Sequence, residues 1–365
     1  MWWIDCFSLI VGVLYLFLIL IFYNGWKRTS YFEFEEYDSL NPIFISVIVP
    51  CKNEEGNIIQ LLESLNQQTY TNFEVIFIDD HSEDKTFIYI NDQIVTKPSF
   101  HLINALGFGK KNALKEGILQ SQGDLIVTTD ADCSHPTDWL KTIVTFQNVH
   151  SCDLVICPVK IEHQNTFFSK LQELEFASLI ASGAGSAGSE MPILCNGANL
   201  VFPKNVWIKN QDNLHSEEQS GDDMFLLENV KKKNGKIRFL KSKKAFVSTL
   251  GSDSLFGFYR QRRRWAAKST SYSDWHIIFT ACIVFGLNLF LLILGVLAFS
   301  NFHYALVLLT LFLSKFFLDT SFLLSVRSFF QLKKVWIYSL ILSLIYPFYI
   351  TVVALTALIV KPVRW

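Results

Sequence analysis

The chain has 365 residues, of which 50% are hydrophobic and 18% charged, a balance too apolar for an ordinary soluble domain. Its formal net charge of -1 at pH 7 excludes binding to nucleic acid through bulk positive charge. Seven cysteines, an odd number without C-x-x-C spacing, exclude complete internal disulfide pairing and a conventional zinc site, and read as reduced, mostly buried thiols of a cytoplasmic domain.

In chain order, the first element is an uncharged run at 6–23 (CFSLIVGVLYLFLILIFY), close to the length of a bilayer span. No basic segment precedes it and no small-residue cleavage site follows it; WKR at 26–28 follows instead, so it reads as a retained anchor rather than a signal peptide. The segment from about 42 to 250 alternates short runs rich in Val, Ile and Phe with amphipathic stretches. FISVIVP (44–50), FEVIFID (73–79), FHLIN (100–104), DLIVTTD (124–130) and DLVICPV (153–159) predict strands, with helices between the first four pairs. That pattern predicts an α/β fold with a mainly parallel sheet and flanking helices, in which ligands bind beyond the carboxyl ends of the strands. Three further apolar runs close the chain, at 277–299, at 304–326 with Lys315 and Asp319, and at 335–360 with Pro347.

Four transmembrane helices are therefore expected, one N-terminal and three C-terminal, the last being either a span or a hairpin at Pro347. Lys27 and Arg28, the RQRRR cluster at 260–264, and Arg327, Lys333 and Lys334 put the N-terminus outside and the middle segment in the cytoplasm. Lys361 and Arg364 count against that scheme for the last span. Lys315 and Asp319, four apart on one helix face, are expected to neutralise each other.

Carboxylates at strand ends carry the chemistry. Asp79 and Asp80 end one predicted strand, and Asp130 and Asp132 end another, as a D-x-D whose side chains share one side of an extended segment and suit a hard divalent cation. Any one of these is equally well a turn or cap residue. His135, beside the D-x-D, reads as polar surface rather than a metal ligand. SGAGSAGS (182–189) reads either as a flexible loop or as the lining of a narrow path. QRRRW (261–265) alone reads as a cationic interfacial helix with its arginines at lipid headgroups and Trp265 in the aromatic belt, and a helix with one wet and one protein-facing side would let Arg262 or Arg263 touch lipid while Arg264 turns inward.

Taken in order, VIVPCKNEE (47–55), VIFIDDHSED (75–84), GKKNAL (109–114), TTDADC (128–133), SGDDMFLL (220–227) and QRRRW (261–265) resemble the inverting family 2 glycosyltransferases with a GT-A fold. They resemble most the membrane-embedded branch, which includes ceramide glucosyltransferase and the poly-N-acetylglucosamine, chitin, hyaluronan and cellulose synthases. The resemblance covers roughly residues 44–270. It implies that Pro50, Glu54, Asp79 and Asp80 hold the uracil and ribose of a UDP-sugar and that Lys110 lies by the diphosphate. It also implies that Asp130 faces the nucleotide and that Asp132, with Asp130, holds Mg²⁺ or Mn²⁺. Asp223 matches the catalytic base, with Asp222 as the other candidate because Gly221-Asp222-Asp223 stands where the family has T-E-D. Gln261, Arg264 and Trp265 match the Q-x-x-R-W that closes over diphosphate and acceptor.

The resemblance implies a domain plan of an anchor at 1–28, a cytoplasmic GT-A domain at 42–250, an interfacial region at 251–272 and a transmembrane bundle at 276–365, in a bacterial inner membrane. The expected reaction is transfer from a UDP-sugar to the hydroxyl of a membrane lipid or lipid-linked acceptor. A processive polysaccharide synthase acting on a growing glycan is the alternative within the class. A transporter or receptor with a non-catalytic nucleotide-binding domain is the alternative outside it, disfavoured by the absence of a Walker A pattern. No nucleic-acid partner is expected, and donor sugar and oligomeric state are not legible.

Overall fold

A computed structural model describes residues 2–36, 41–162, 166–211 and 222–359. Ser220 and Gly221 of the SGDDMFLL stretch, and Lys361 and Arg364, lie outside the described residues. In chain order the elements are α1 (Trp2–Arg28), β1 (Ile45–Cys51), α2 (Ile58–Asn66), β2 (Phe73–Asp79), α3 (Thr86–Ile94), β3 (Phe100–Asn104), α4 (Lys110–Gln120), β4 (Leu125–Thr128) and α5 (Trp139–His150). Then come β5 (Leu154–Ile156), β6 (Val159–Ile161), α6 (Phe167–Gly188), β7 (Leu200–Pro203), α7 (Lys204–Ile208), α8 (Asp222–Lys232), β8 (Ile237–Phe239) and β9 (Val247–Thr249). Helices α9 (Leu255–Ala267), α10 (Trp275–Leu297), α11 (Phe302–Phe330) and α12 (Val335–Ile359) complete the chain.

Two compact units divide these elements: one of Thr29–Glu162 with Leu194–Leu250, the other of Met1–Arg28, His163–Ile193 and Gly251–Val363. The first is a sheet unit. Its seven strands run in the order β3-β2-β1-β4-β7-β5-β8, beside a two-stranded β6-β9 ribbon. β3, β2, β1 and β4 are mutually parallel, and only β7 is antiparallel to its neighbours. Every residue of β1 and β2 is buried, which explains their unbroken apolar runs: a parallel strand covered on both faces has no wet side to alternate toward. The order reverses between β1 and β4, and in doubly wound sheets the crevice for a ligand opens at such a reversal, beyond the carboxyl ends.

The second unit is helical. Helices α1, α10, α11 and α12 are each long and apolar enough to cross a membrane. Lys315 meets Asp319 at 2.6 Å, as its spacing predicts, and Tyr15 of α1 donates its hydroxyl to the same carboxylate at 2.5 Å. Helix α12 runs unbroken through Pro347, so the hairpin expectation is not met. SGAGSAGS is not a loop: it is the C-terminal end of α6, packed against α1. A Cβ added at Gly185 would stand 2.3 Å from the Phe22 carbonyl oxygen, and one at Gly25 1.8 Å from the Gly185 carbonyl oxygen. The small residues are therefore what lets two backbones touch, as small residues do between membrane helices.

Candidate active site

The loops after β1 and β2 are sewn together by their own motif residues. Asn53 donates its backbone N–H to Ser82 Oγ at 3.0 Å and accepts the Glu83 N–H on its side chain at 2.8 Å. Glu54 N–H donates to Thr86 Oγ1 at 2.7 Å, and Asn57 donates to Glu54 Oε2 at 2.8 Å. Asn53 and His81 hold φ of 54° and 58°, a left-handed conformation that costs a non-glycine residue about 1–3 kcal/mol and is concentrated at functional sites. Pro50 lies buried in β1 beside them.

Asp79 and Asp80 are both buried, the latter fully. Asp80 accepts the Gly109 N–H on both carboxylate oxygens at 3.0 Å, and Lys52 approaches it at 3.6 Å. Gly109 can present that N–H because its φ of 92° is open to glycine alone. Asp79 accepts the Ser82 N–H on Oδ2 at 3.1 Å, while its buried Oδ1 has no hydrogen-bond partner. A buried carboxylate oxygen without a donor is costly, and a ligand N–H or O–H would satisfy it.

Fixing Gly109 also aims Lys110, the first residue of α4, whose ammonium is ion-paired with Asp130. Burial pulls this lysine down, but Asp130, with Asp223 and Asp132 adding to it, outweighs burial and holds it above its ordinary range. Asp132 Oδ2 accepts from Thr249 Oγ1 of β9 at 3.0 Å. Burial first, then the Asp130 charge, push the Asp132 carboxyl above its usual range. Glu54 is likewise raised, by burial first and then by the charges of Asp132 and Asp130.

Asp222 and Asp223 occupy the first turn of α8, where the helix dipole favours negative charge. Asp223 accepts the Gly197 N–H on Oδ2 at 3.0 Å and the Met224 N–H on Oδ1 at 2.9 Å; Asp222 pairs with Lys111 at 3.3 Å. The fold thus brings Pro50, Glu54, Asp79, Asp80, Lys110, Asp130, Asp132, Asp222 and Asp223 into the sheet unit. Asp130, Asp132 and Asp223 act on one lysine, and Glu54 feels the charges of Asp130 and Asp132, an excess of negative charge of the kind a divalent cation offsets. Among the described residues no group of three or more His, Cys, Asp or Glu is arranged to hold a metal ion, so Asp130 and Asp132 would hold one only together with oxygens from another source.

Two side chains, His135 and Arg262, correct the reading of the sequence, and two further residues add to it. His135 is buried, bonded through Nε2 to Thr129 Oγ1 at 2.8 Å and through Nδ1 to Ser64 Oγ at 3.1 Å, with its ring 4.1 Å from Trp139. Burial alone lowers its pKa to about 3, so it is a neutral core residue and not surface. In the helical unit, the inward-turned arginine of α9 is Arg262, 4% exposed, whereas Gln261, Arg263, Arg264 and Trp265 are half-buried. Thr249 and Gly197, which hold Asp132 and Asp223, escaped notice because short strands and turns have no periodicity to mark them.

Residues 46–204 match the sequence profile of the family described as "Glycosyl transferase family 2". An uncharacterized glycosyltransferase of Haemophilus influenzae is 32% identical over 126 residues, covering 34% of this chain and 42% of that protein. An undecaprenyl-phosphate 4-deoxy-4-formamido-L-arabinose transferase of Enterobacter sp. is 28% identical over 149 residues, 39% of this chain and 45% of that one. The chain thus spans less than half the length of these relatives. Among solved structures, the mannosyltransferase PcManGT from Pyrobaculum calidifontis, in complex with GDP-Man and Mn²⁺, superposes with a TM-score of 0.58 at 16% identity, over 93% of this chain and 99% of that one. A GT-A-like fold is common to the two, and residues 46–204, the stretch from β1 through β7, are the part of the chain similar to glycosyltransferase family 2.

Proposed function

We propose that the protein is an inverting glycosyltransferase that moves a sugar from a UDP-sugar to a membrane lipid or lipid-linked acceptor, with the sheet unit on the cytoplasmic face of the membrane. The observation that carries this reading is the gathering of Glu54, Lys110, Asp130, Asp132 and Asp223 where the strand order reverses, in a chain with four helices fit to span a bilayer. The relatives support its coarser part, a nucleotide-sugar donor and a lipid-linked partner: one is an undecaprenyl-phosphate 4-deoxy-4-formamido-L-arabinose transferase, and a protein of like fold was captured with GDP-mannose and Mn²⁺.

The chemistry follows from the side chains. Asp79 and Asp80 bind the base and ribose, Asp79 through its unpartnered Oδ1. Lys110 lies against the diphosphate and offsets charge as the sugar–phosphate bond breaks. Asp130 and Asp132 would hold Mg²⁺ or Mn²⁺, which would supply charge neutralisation to the departing UDP. Asp223, oriented by the Gly197 and Met224 N–H groups, takes the proton of the acceptor hydroxyl as it attacks the anomeric carbon. Gln261, Arg264 and Trp265 of α9 serve diphosphate and acceptor.

Binding and turnover of the purified protein separate these roles. Asp132→Ala should abolish metal-dependent UDP-sugar binding. Asp223→Asn should bind UDP-sugar within about twofold of wild type while losing transfer by about 10²–10⁴-fold, the range of a positioned general base. Near-wild-type transfer by Asp223→Asn removes that residue from the role and moves it to Asp222.

A further inference from the structure

Helix α9 carries Q-x-x-R-W, yet its buried residue, Arg262, is one that this pattern leaves unspecified. Arg262 meets Glu175 of α6 with both edges of its fork: Nε donates to Oε1 at 3.1 Å and one terminal nitrogen donates to Oε2 at 2.5 Å. Both side chains are only 4% exposed. Tyr349 of α12 donates its hydroxyl to the same Glu175 Oε1 at 3.3 Å. The other terminal nitrogen of Arg262 donates to Gln261 Oε1 at 2.8 Å. The guanidinium carbon stands 4.2 Å from the Trp265 ring centroid and 4.6 Å from that of Phe258.

One buried cation therefore grips both Gln261 and Trp265. A buried ion pair is a poor source of stability, since well-packed apolar residues of similar volume often do as well or better, and its best-attested use is to select one geometry over others. A lysine could not do the same, because the arrangement needs separate nitrogens in one plane.

We infer that Arg262 and Glu175, locked by Tyr349, are positioning residues for sugar transfer: they fix the Gln261 amide and the Trp265 ring in their working orientation. Neither touches the reacting atoms. Glu175 is fit for this because α6 is itself pinned, Gly185 being in backbone contact with α1. The inference rests on the glycosyl-transfer reading, and its test keeps the two apart.

Glu175→Gln preserves shape and removes the charge that holds Arg262. In full-length protein in lipid nanodiscs, amide exchange over α9 needs no turnover; it should speed up by about tenfold or more across residues 261–265, as in a locally opening segment, with α10 to α12 unchanged. Unchanged exchange overturns the inference even if no nucleotide sugar turns over in the wild type, an outcome that would sink the transfer reading by itself. In steady-state kinetics kcat should fall about 10–100-fold, the cost of small misplacement, with the KM for nucleotide sugar within about twofold. A lower melting temperature with unchanged kcat per folded molecule would make the pair merely structural. Glu175→Asp should recover part of kcat. If Glu175→Gln does not fold, the neutral pair Glu175→Gln with Arg262→Gln is judged by the same two readouts.

Discussion

Single side chains set the terms on which the site works, and His135 shows how a buried group reports on its surroundings. Folded, its pKa is about 3; unfolded it returns to about 6.5. Its neutral burial therefore stabilises the sheet unit fully above about pH 6.5 and progressively less as pH falls toward 3. At about 1.4 kcal/mol per pH unit, roughly 2 kcal/mol should be lost by pH 5, and thermal unfolding of His135→Gln should lack that share of the pH slope. Equal slopes in the two proteins would place the histidine in a wetter site. Arg264→Lys should lower transfer, because a point charge cannot reproduce a bidentate fork on phosphate. Undiminished transfer would leave Arg264 an interfacial residue. Asp79, Asp80, Asp130 and Asp132 were legible because each closes or follows an apolar strand, whereas Asp222 and Asp223, in the first turn of α8, rested on the resemblance of SGDDMFLL. Arg262 was not, since its anchor lies 87 residues away and a run of three arginines does not say which one turns inward.

At the scale of elements, the sequence marks strands well where burial on both faces leaves a long apolar run, as in β1 and β2. β8 and β9 have three residues each, too few for any periodicity, and they are placed by pairing with β5 and β6. The end of α6 is a different failure. Glycine costs a helix about 1 kcal/mol, so SGAGSAGS looks like a breaker until its partner helix is known. Gly185→Ala should destabilise the helical unit by about 1–3 kcal/mol, because its Cβ meets backbone that cannot step aside. Gly286→Ala, where an added Cβ meets nothing within 4 Å, should be neutral or mildly stabilising. Thermal unfolding of the two variants in detergent decides it; equal midpoints would mean that the α1–α6 contact gives way cheaply.

For the whole molecule, the chain builds two units from interleaved segments. Helix α6 comes between strands of the sheet unit in sequence but belongs with the membrane-type helices, and Q-x-x-R-W stands on that same helical unit. On the roles proposed above, most donor-binding residues fall in the sheet unit, and Gln261, Arg264 and Trp265, proposed for diphosphate and acceptor, fall in the unit whose helices are fit for a bilayer. That division is the reason for expecting a lipid or lipid-linked acceptor. It is tested most directly by incubating the nanodisc-embedded protein with Mn²⁺ or Mg²⁺ and a panel of sugar-labelled UDP-sugars, following UDP release and the partition of label. Metal-dependent UDP release with label entering the organic phase, absent for Asp223→Asn, is the predicted result. Label in a large aqueous polymer would contradict the lipid acceptor, and no turnover of any donor in the presence of membrane lipids would contradict the glycosyltransferase itself.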